Sequence, residues 1–427
     1  MTISVEVIGN HLARQQGPRY RRIALAICAA VDAGDILAGE KLPTHRALAE
    51  ALGVSVQTVS FAYANAEQEG YVHGKVGSGT YVSHHRAGQE ADFLKGELGG
   101  NAPLIDLSIA GAIAGTEQER AFARTLAEIA ASPEGVGLIN VIKPFEGLRR
   151  HRQSACRWLA GQGIDADAEQ VVICNGVTHG LMVALSRVVK PGGSVACEAL
   201  VDHGLIALAR TLHFKLEGVA IDEEGMIPEA LEQLCQQKQL DAVCLTATLH
   251  NPTTASQSDG RRRAIAAILQ RYGVPLVEDD AFGPLPTERC APVSSYLPDS
   301  SYYVTGFSKA LASGLRVGYL VPPRQEVAAV IGRLRASLWM VSPMAVEVVS
   351  RWIEQGTALE LLQWQRTALR HRQQLAAERL HGIEFRADPE GPLLWMPLPE
   401  TWRAASFIAQ GRARGVSITA AEPFVVG

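Results

Sequence analysis

The chain has 427 residues, 47% of them hydrophobic and 20% charged, with 40 glycines and a net charge of −4. That length exceeds one ordinary core and predicts two or three domains of an α/β protein, which excludes a disordered or fibrous chain. The charge balance gives no overall bias toward nucleic acid or an anionic membrane. The seven cysteines, Cys28, Cys156, Cys174, Cys197, Cys235, Cys244 and Cys290, are scattered without a CxxC pair. They read as reduced core residues, with no disulfide frame and no zinc site. No apolar run is long enough to span a bilayer, and the start lacks a signal peptide's basic segment and apolar core. A cytoplasmic location without membrane association is expected.

Residues 1–83 carry dense helical patterning that ends in a Gly-rich hairpin. Within "LPTHRALAEALGVSVQTVSFAYANAEQEGYVHGKVGSGTYV" (42–82), Leu48, Ala49 and Leu52 share one helical face. Gly53 ends that helix and Ser55 caps the next. Val59, Ala62, Tyr63 and Ala66 then form a buried stripe at helical spacing. Gln57, Thr58 and Ser60 are left facing outward near the helix start, where a recognition helix meets base edges. The hairpin places His73, Gly74 and Lys75 at a tip within reach of the DNA backbone or minor groove. "GKVGSG" lacks the Lys-Ser/Thr and helix that follow a phosphate loop, so it reads as a turn.

This segment resembles the winged helix-turn-helix of the GntR superfamily of bacterial regulators. The resemblance implies phosphate contacts from Thr44 and Arg46, with Ser55, Gln57 and Thr58 on the DNA from the second helix. Val56 stands where many members carry arginine. Residues 1–86 hold eight Lys+Arg against seven Asp+Glu, so there is no strongly basic footprint. The histidines here (His11, His45, His73, His84, His85) are expected to be solvated, and no metal site is expected.

Residues 84–103, "HHRAGQEADFLKGELGGNAP", are polar and Gly-rich without apolar periodicity, and read as a linker. From 104 to 427 short apolar runs alternate with helical patterns: "VVICN" at 171, "SVACEA" at 194, "DAVCLTAT" at 241, "VPLVED" at 274 and "SYYVTGF" at 301. That alternation predicts βαβ units and a mostly parallel sheet. A helical zone over 324–380 leads into "PLLWMPL" and "GVSITAAEPFVV", expected strands of a smaller α+β lobe.

Only eight of the 40 Lys+Arg residues are lysines, and the last, Lys309, sits among small and apolar neighbours in "VTGFSKALASGLRVGYL" (304–320). Arginine serves for a surface charge or an ion pair. Lysine is required where the nitrogen must lose its proton and react. Pyridoxal 5'-phosphate needs such a lysine for its aldehyde and a carboxylate for its ring nitrogen. It also needs a donor for its phenolic oxygen and an anion nest for its phosphate.

The sequence supplies candidates in order. "CNGVTHGLMVAL" (174–185) gives a helix start with the backbone N–H groups of Gly176 and Val177 and the hydroxyl of Thr178. Asn251 lies in the Pro turn "HNPTT", its amide free to reach the ring oxygen. "VPLVEDDAFG" ends a buried strand in Asp279 and Asp280, at the sheet edge where ligands bind. Arg316 follows Lys309 closely enough to be a second phosphate contact.

Residues 104–427 resemble the class I/II aminotransferases of fold type I. With the N-terminal segment, the chain resembles a MocR-type regulator, a GntR winged helix fused to an aminotransferase-like domain. The resemblance implies that Lys309 is the Schiff-base lysine of "SK", that Asn251 serves the ring and that Asp279 serves the pyridine nitrogen, with Asp280 as runner-up. Arg316, Ser308 and Thr178 fall on phosphate contacts. Phe282 falls on the ring-side tyrosine position, so a hydroxyl is missing. Asp202, in "EALVDHGLIAL", replaces an aromatic that stacks on the ring. A carboxylate cannot stack, and it repels Asp279 and a phosphate. Ser313 replaces a common proline. The sequence stops at Gly427 short of the arginine that grips a substrate carboxylate in relatives, so its C-terminal end reads as shortened.

The expected function is DNA-binding transcriptional regulation, with the second domain binding pyridoxal 5'-phosphate through Lys309 and sensing an amino compound or the vitamer. The resemblance also implies a head-to-tail homodimer on a double-stranded operator. The alternatives are a working aminotransferase with an ancillary N-terminal module, and a cofactor-free repressor whose second domain only dimerises.

Overall fold

The computed structural model of the chain describes residues 3–13, 15, 17–33, 35–37, 39–68, 70–75, 78–83, 105–399 and 401–426. The linker expected over 84–103 lies outside the described residues, as do His84 and His85. The chain divides into two units, Met1–Ile109 with Leu398–Val425, and Ala110–Pro397 with Val426–Gly427.

In the first unit, α1 (Ile3–Leu12) and α2 (Arg19–Asp32) precede α3 (His45–Leu52), α4 (Val56–Gln68), β1 (Val72–Lys75) and β2 (Gly79–Val82). Local chemistry sets these boundaries. The Ala47 N–H donates to the Thr44 hydroxyl at 3.2 Å, capping α3, and Gly53 ends it at φ 63°. The Thr58 N–H donates to Ser55 Oγ at 3.1 Å, capping α4. Val59, Ala62, Tyr63 and Ala66 are all buried. The Tyr63 hydroxyl donates to the Pro43 carbonyl at 2.7 Å, so the stripe's one polar atom is satisfied.

β1 and β2 form the antiparallel hairpin with Val72 opposite Val82. His73 and Gly74 pair with Tyr81 and Thr80 inside it, so the expectation that they form the tip is corrected. The ladder continues through Lys75 opposite Gly79, and the reversal comes after that residue. β3 (Ile105–Asp106) also belongs to this unit.

The second unit begins with α5 (Thr116–Ala130), α6 (Pro133–Gly137), α7 (Arg149–Ala160), β4 (Val172–Cys174), α8 (Gly176–Val188), β5 (Ser194–Glu198), α9 (His203–Leu212) and β6 (Lys215–Val219). Next come β7 (Ile221–Asp222), β8 (Gly225–Met226), α10 (Pro228–Gln237), β9 (Ala242–Leu245), α11 (Asp259–Tyr272), β10 (Leu276–Asp279), β11 (Ser301–Gly306) and β12 (Gly318–Val321). The helices α12 (Val327–Leu338), α13 (Pro343–Glu354) and α14 (Thr357–Arg379) complete it.

Seven strands form one sheet in the order β4-β12-β11-β10-β9-β5-β6. All neighbours run parallel except β12, which is antiparallel to β11 and to β4. Successive side chains point to opposite faces. Val277, Val304 and Leu320 pack with Leu181, Leu185, Val330 and Leu334 of α8 and α12. Leu276 and Val243 pack with Ile265 and Leu269 of α11 on the opposite face. A sheet covered on both sides explains strands that are apolar throughout instead of alternating.

The expected C-terminal strands are mostly absent. "PLLWMPL" contributes a single bridge, Trp395 to Arg386. "GVSITAAEPFVV" yields α15's successor β13 (Val416–Ser417), after α15 (Ala404–Ala413), and then a short 3-10 turn at Glu422–Phe424. β13 pairs in parallel with β3 over two residues. Apolar runs become strands only where a long neighbour completes the ladder, and here the described residues offer none.

Buried carboxyls cluster at the ends of the strands. The N–H groups of Val293 and Ser294 donate to Glu278 at 3.0 and 2.7 Å. Asp280 accepts from Arg289 at 2.8 Å and from the Tyr303 hydroxyl at 2.5 Å. Glu198 is fully buried and accepts the Thr246 N–H at 3.0 Å. Burial pushes its carboxyl up to about 8.

Two predictions follow from these groups. Arg289→Met strands the Asp280 carboxylate in the core and should cost about 3 kcal/mol of stability, read from urea unfolding; an unchanged midpoint would contradict the pairing. Glu198 in the folded chain holds a proton that the unfolded chain releases above its ordinary value of 4.5. Its contribution is therefore complete below that value and is lost as pH rises through about 8. Glu198→Gln should flatten the fall in stability between pH 5.5 and 8 by about 1 kcal/mol or more. Asp279 retains a slope of the same sign.

Candidate functional site

On the first unit, the α3–α4 pair presents the residues expected to meet DNA. Thr44, Arg46, Ser55 and Gln57 are exposed, and Thr58 is half-buried. The hydroxyls of Thr44 and Ser55 are engaged as helix caps, and Ser55 Oγ lies 2.8 Å from Thr58 Oγ1. Arg46 and Gln57 thus carry the long polar side chains of this surface. His73 stacks on Tyr81 with ring centroids 6.1 Å apart, and its Nδ1 lies 3.4 Å from Ser83 Oγ. The Gly74 N–H donates to Glu67 at 3.0 Å. Of Lys75 only the backbone, within β1, is described. The sequence reading missed Phe61, 55% exposed on α4 with its ring edge toward Tyr20; its position off the buried stripe was the available signal.

In the second unit the site forms where β10 and β11 end beside the start of α8. Gly176 adopts φ 77°, and a Cβ there would sit 3.0 Å from the Arg316 Nη2. Only glycine lets the guanidinium approach this closely. Arg316 Nη1 lies 3.3 Å from the Ser308 hydroxyl. Gly176, Arg316 and Ser308 are therefore brought together at the N-terminus of a 13-residue helix, with Val177 and the exposed Thr178 in its first turn. Oriented amides, a guanidinium and a hydroxyl make a cradle for a phosphate. His179 secures the entry: the Asn175 N–H donates to its Nδ1 at 3.1 Å, while its Nε2 meets Ser337 Oγ at 2.9 Å.

Lys309 donates to the Ala110 carbonyl. Burial lowers its hold on a proton, Asp202 and then Asp279 strengthen it, and Arg316 weakens it. Its Nζ is 5.8 Å from the centre of the Phe282 ring, which is buried in the core and has no hydroxyl to offer. Burial first and Asp202 second push the Asp279 carboxyl up to about 7. The Ala281 N–H, 3.0 Å from its Oδ1, acts the other way. Asp280 is engaged by Tyr303 and Arg289, which leaves Asp279 as the carboxylate beside Lys309.

Asn251 differs from expectation. Its amide donates to Asp202 Oδ2 at 2.6 Å, so it is not free for a ring oxygen. Asp202 Oδ1 accepts the Gly204 N–H at 2.8 Å and caps α9. Two buried groups beside this contact were not singled out from sequence. His250 is neutral, pushed down to about 4 by burial, with Nδ1 at 2.7 Å from Thr253 Oγ1. Among the described residues Glu198 Oε2 has no hydrogen-bond partner. A polar residue closing an apolar run was the only signal for either. The site can therefore hold an anion, offer a lysine nitrogen with a weakened proton and place a carboxylate against a cationic ring nitrogen. It fits a phosphorylated pyridine aldehyde at the phosphate, lysine and ring-nitrogen positions. The side of the phenolic oxygen fits less well. Among the described residues no group of His, Cys, Asp and Glu side chains is placed to hold a metal ion, and no helix is long and apolar enough to cross a membrane.

Residues 120–426 match the family aminotransferase class I and II, and residues 19–82 match bacterial regulatory proteins of the gntR family. YdeF of Bacillus subtilis, an uncharacterized HTH-type transcriptional regulator, is 26% identical over 97% of this chain and 88% of its own. PtsJ of Salmonella typhimurium, a vitamin B6 salvage pathway transcriptional repressor, is 28% identical over 90% of this chain and 88% of its own. A kynurenine aminotransferase from Pyrococcus horikoshii superposes with a TM-score of 0.70 at 21% identity, over 80% of this chain and 87% of that one. That likeness establishes the fold, the pyridoxal-phosphate transferase fold of type I. The chain belongs to the aminotransferase class I and II family, and with a gntR-family segment ahead of that domain it has the organisation of a MocR-type regulator.

Proposed function

We propose that this protein is a DNA-binding transcriptional regulator whose second unit binds pyridoxal 5'-phosphate at Lys309 and responds to a small amino compound or to the vitamer. The observation that carries the reading is the pairing of a half-buried lysine with a phosphate cradle: Lys309 lies next to Ser308, which meets Arg316 and, through it, Gly176. The name of PtsJ, a vitamin B6 salvage repressor, supports a link between this organisation and the vitamin.

When bound, the cofactor supplies an aldehyde that condenses with primary amines and an electron-poor ring. The chain's own residues do the rest. Gly176, Val177, Thr178, Ser308 and Arg316 would hold its phosphate, and Asp279 would keep a proton on its ring nitrogen. Phe282 contributes an apolar wall that keeps water from Lys309. Burial weakens the hold of Lys309 on its proton, and the neutral amine is the form that reacts. A small amine taken up beside Lys309 would change the charge and contacts of the site, and so would shift the protein's conformational equilibrium.

DNA recognition falls to Arg46 and Thr44 on phosphates, to Ser55, Gln57 and Thr58 at the start of α4, and to His73, Gly74 and Lys75 of the wing on the backbone or minor groove. The operator and its reader place the protein in the cytoplasm. The family resemblance implies a head-to-tail homodimer, and an apolar surface on the second unit supports self-association. Val136, Ile139, Ile142 and Trp339 are 49%, 72%, 65% and 53% exposed, and the Trp339 indole N–H donates to the Ile142 carbonyl at 3.1 Å.

Two sets of measurements test the reading. Adding pyridoxal 5'-phosphate to purified protein should produce a visible absorption band that Lys309→Ala abolishes without loss of the folded circular-dichroism spectrum. Operator affinity should change with cofactor; an operator complex indifferent to it in affinity and geometry would remove the sensing role. Arg46→Ala should weaken binding to all sequences and lower the salt dependence, whereas Gln57→Ala should relax preference at one position by about 1–3 kcal/mol. Amino-group transfer at ordinary enzyme rates, with no DNA retention at physiological salt, would favour an aminotransferase instead.

A further inference from the structure

Two side chains of the segment 308–313 hold the start of the second unit. Lys309 donates to the Ala110 carbonyl, and Ser313 Oγ accepts the Ala112 N–H at 3.3 Å. The Ser313 hydroxyl in turn donates to the Ser308 carbonyl at 2.9 Å, a bond that a proline at this position could not make. A Cβ on Gly111 would lie 3.2 Å from that hydroxyl, so the two segments run close together. At Ile113 the hold is of another kind. Ile113 is buried and its N–H donates to Gln365 Oε1 at 3.0 Å. Its carbonyl accepts from Gln365 and Gln118 at 2.7 and 2.6 Å. On the other side, Ile109 already belongs to the first unit, where the Ser108 carbonyl accepts from the Thr419 hydroxyl at 2.9 Å. Residues 109–112 therefore join two fixed points, and the nitrogen of Lys309 is one of their holds.

We propose that residues 110–112 form a strap latched by Lys309, which opens when an aldehyde takes the lysine nitrogen and so passes the state of the site to the connection with the first unit. The inference rests on the reading of Lys309 as the residue that binds pyridoxal 5'-phosphate. In the condensation the nitrogen forms a double bond to the aldehyde carbon. The neutral amine's two hydrogens leave with the aldehyde oxygen as water. The nitrogen that remains holds at most one proton, and the anionic ring oxygen beside the new double bond claims it. Lys309 then has nothing to donate to Ala110. That residue is half-buried, and its carbonyl recovers a hydrogen bond by turning to water. Ile113, fixed by two glutamines, is the hinge.

The test is residue-level hydrogen–deuterium exchange of the full-length protein, wild type and Lys309→Ala, each with and without pyridoxal 5'-phosphate. The visible band follows condensation, and circular dichroism verifies the fold of the variant. In the wild type the Ala112 amide should exchange about tenfold faster once the band has formed, while the Ile113 amide is unchanged. In Lys309→Ala the Ala112 amide should be fast from the start and indifferent to the cofactor. If the variant does not fold, the wild-type comparison decides alone. A band that forms while Ala112 exchange stays the same or slows overturns the strap and leaves the site reading standing. So does equal acceleration at Ile113, or a folded Lys309→Ala whose Ala112 amide is as slow as that of the free wild type. Failure of the band to form at millimolar cofactor overturns the site reading, and this inference with it.

Discussion

The end of β10 is held by Asp280, which accepts hydrogen bonds from Arg289 and Tyr303 in the core. Consecutive residues of a strand face opposite sides, so fixing Asp280 toward Tyr303 turns Asp279 to the side of Val277. Asp279 then lies at the carboxyl edge of the sheet, with β11 alongside in parallel and Asp279 in register with Val304. Lys309 follows that strand after one turn of chain. The geometry of the site thus depends on a buried ion pair that itself takes no part in the chemistry. An ion pair of this kind is weak evidence for stability and better evidence for specificity.

Around that frame the electrostatics conflict. Burial disfavours charge on Lys309, Asp279 and Glu198 alike. Asp202 adds a fixed negative charge that supports the ammonium of Lys309 and opposes ionisation of Asp279. The cationic cradle of Arg316 lies beyond Lys309 and favours its neutral form. A phosphate there would offset the guanidinium, and a cation beside Asp279 would oppose that carboxyl's upward shift. Charges arranged in this way suit a ligand that is itself zwitterionic. Site groups held off their ordinary titration are characteristic of functional positions.

The reader unit rests on simpler physics. Two hydroxyl caps and one left-handed glycine fix where α3 ends and α4 begins, and the stripe on α4 does the packing. Such a unit needs no buried charge. Its outward residues can change without disturbing its core, which is how one scaffold serves many operators.

Much of this was legible in the sequence because it was local. Caps, the left-handed turn at Gly53, the helical stripe and the five apolar runs that became β4, β5, β9, β10 and β11 all depend on residues close in the chain. β6 and β12 were not singled out: β6 is an edge strand that is mostly exposed or half-buried and lacks an apolar run, and β12 joins the sheet antiparallel between strands distant in sequence. "PLLWMPL" had the composition of a strand and lacked a partner. The site residues were named by residue type and order together with the family resemblance, and it was the resemblance that marked Asp202 as out of place. What Asp202 touches was decided only by the fold, which carries Asn251 from 49 residues away to within 2.6 Å of it. What Asp280 touches was likewise decided by the fold, which brings it a tyrosine hydroxyl from 23 residues downstream. Sequence determines which groups a site can contain. Only close packing determines which of them are already bonded to one another, because a hydrogen bond depends on distances that chain order does not encode.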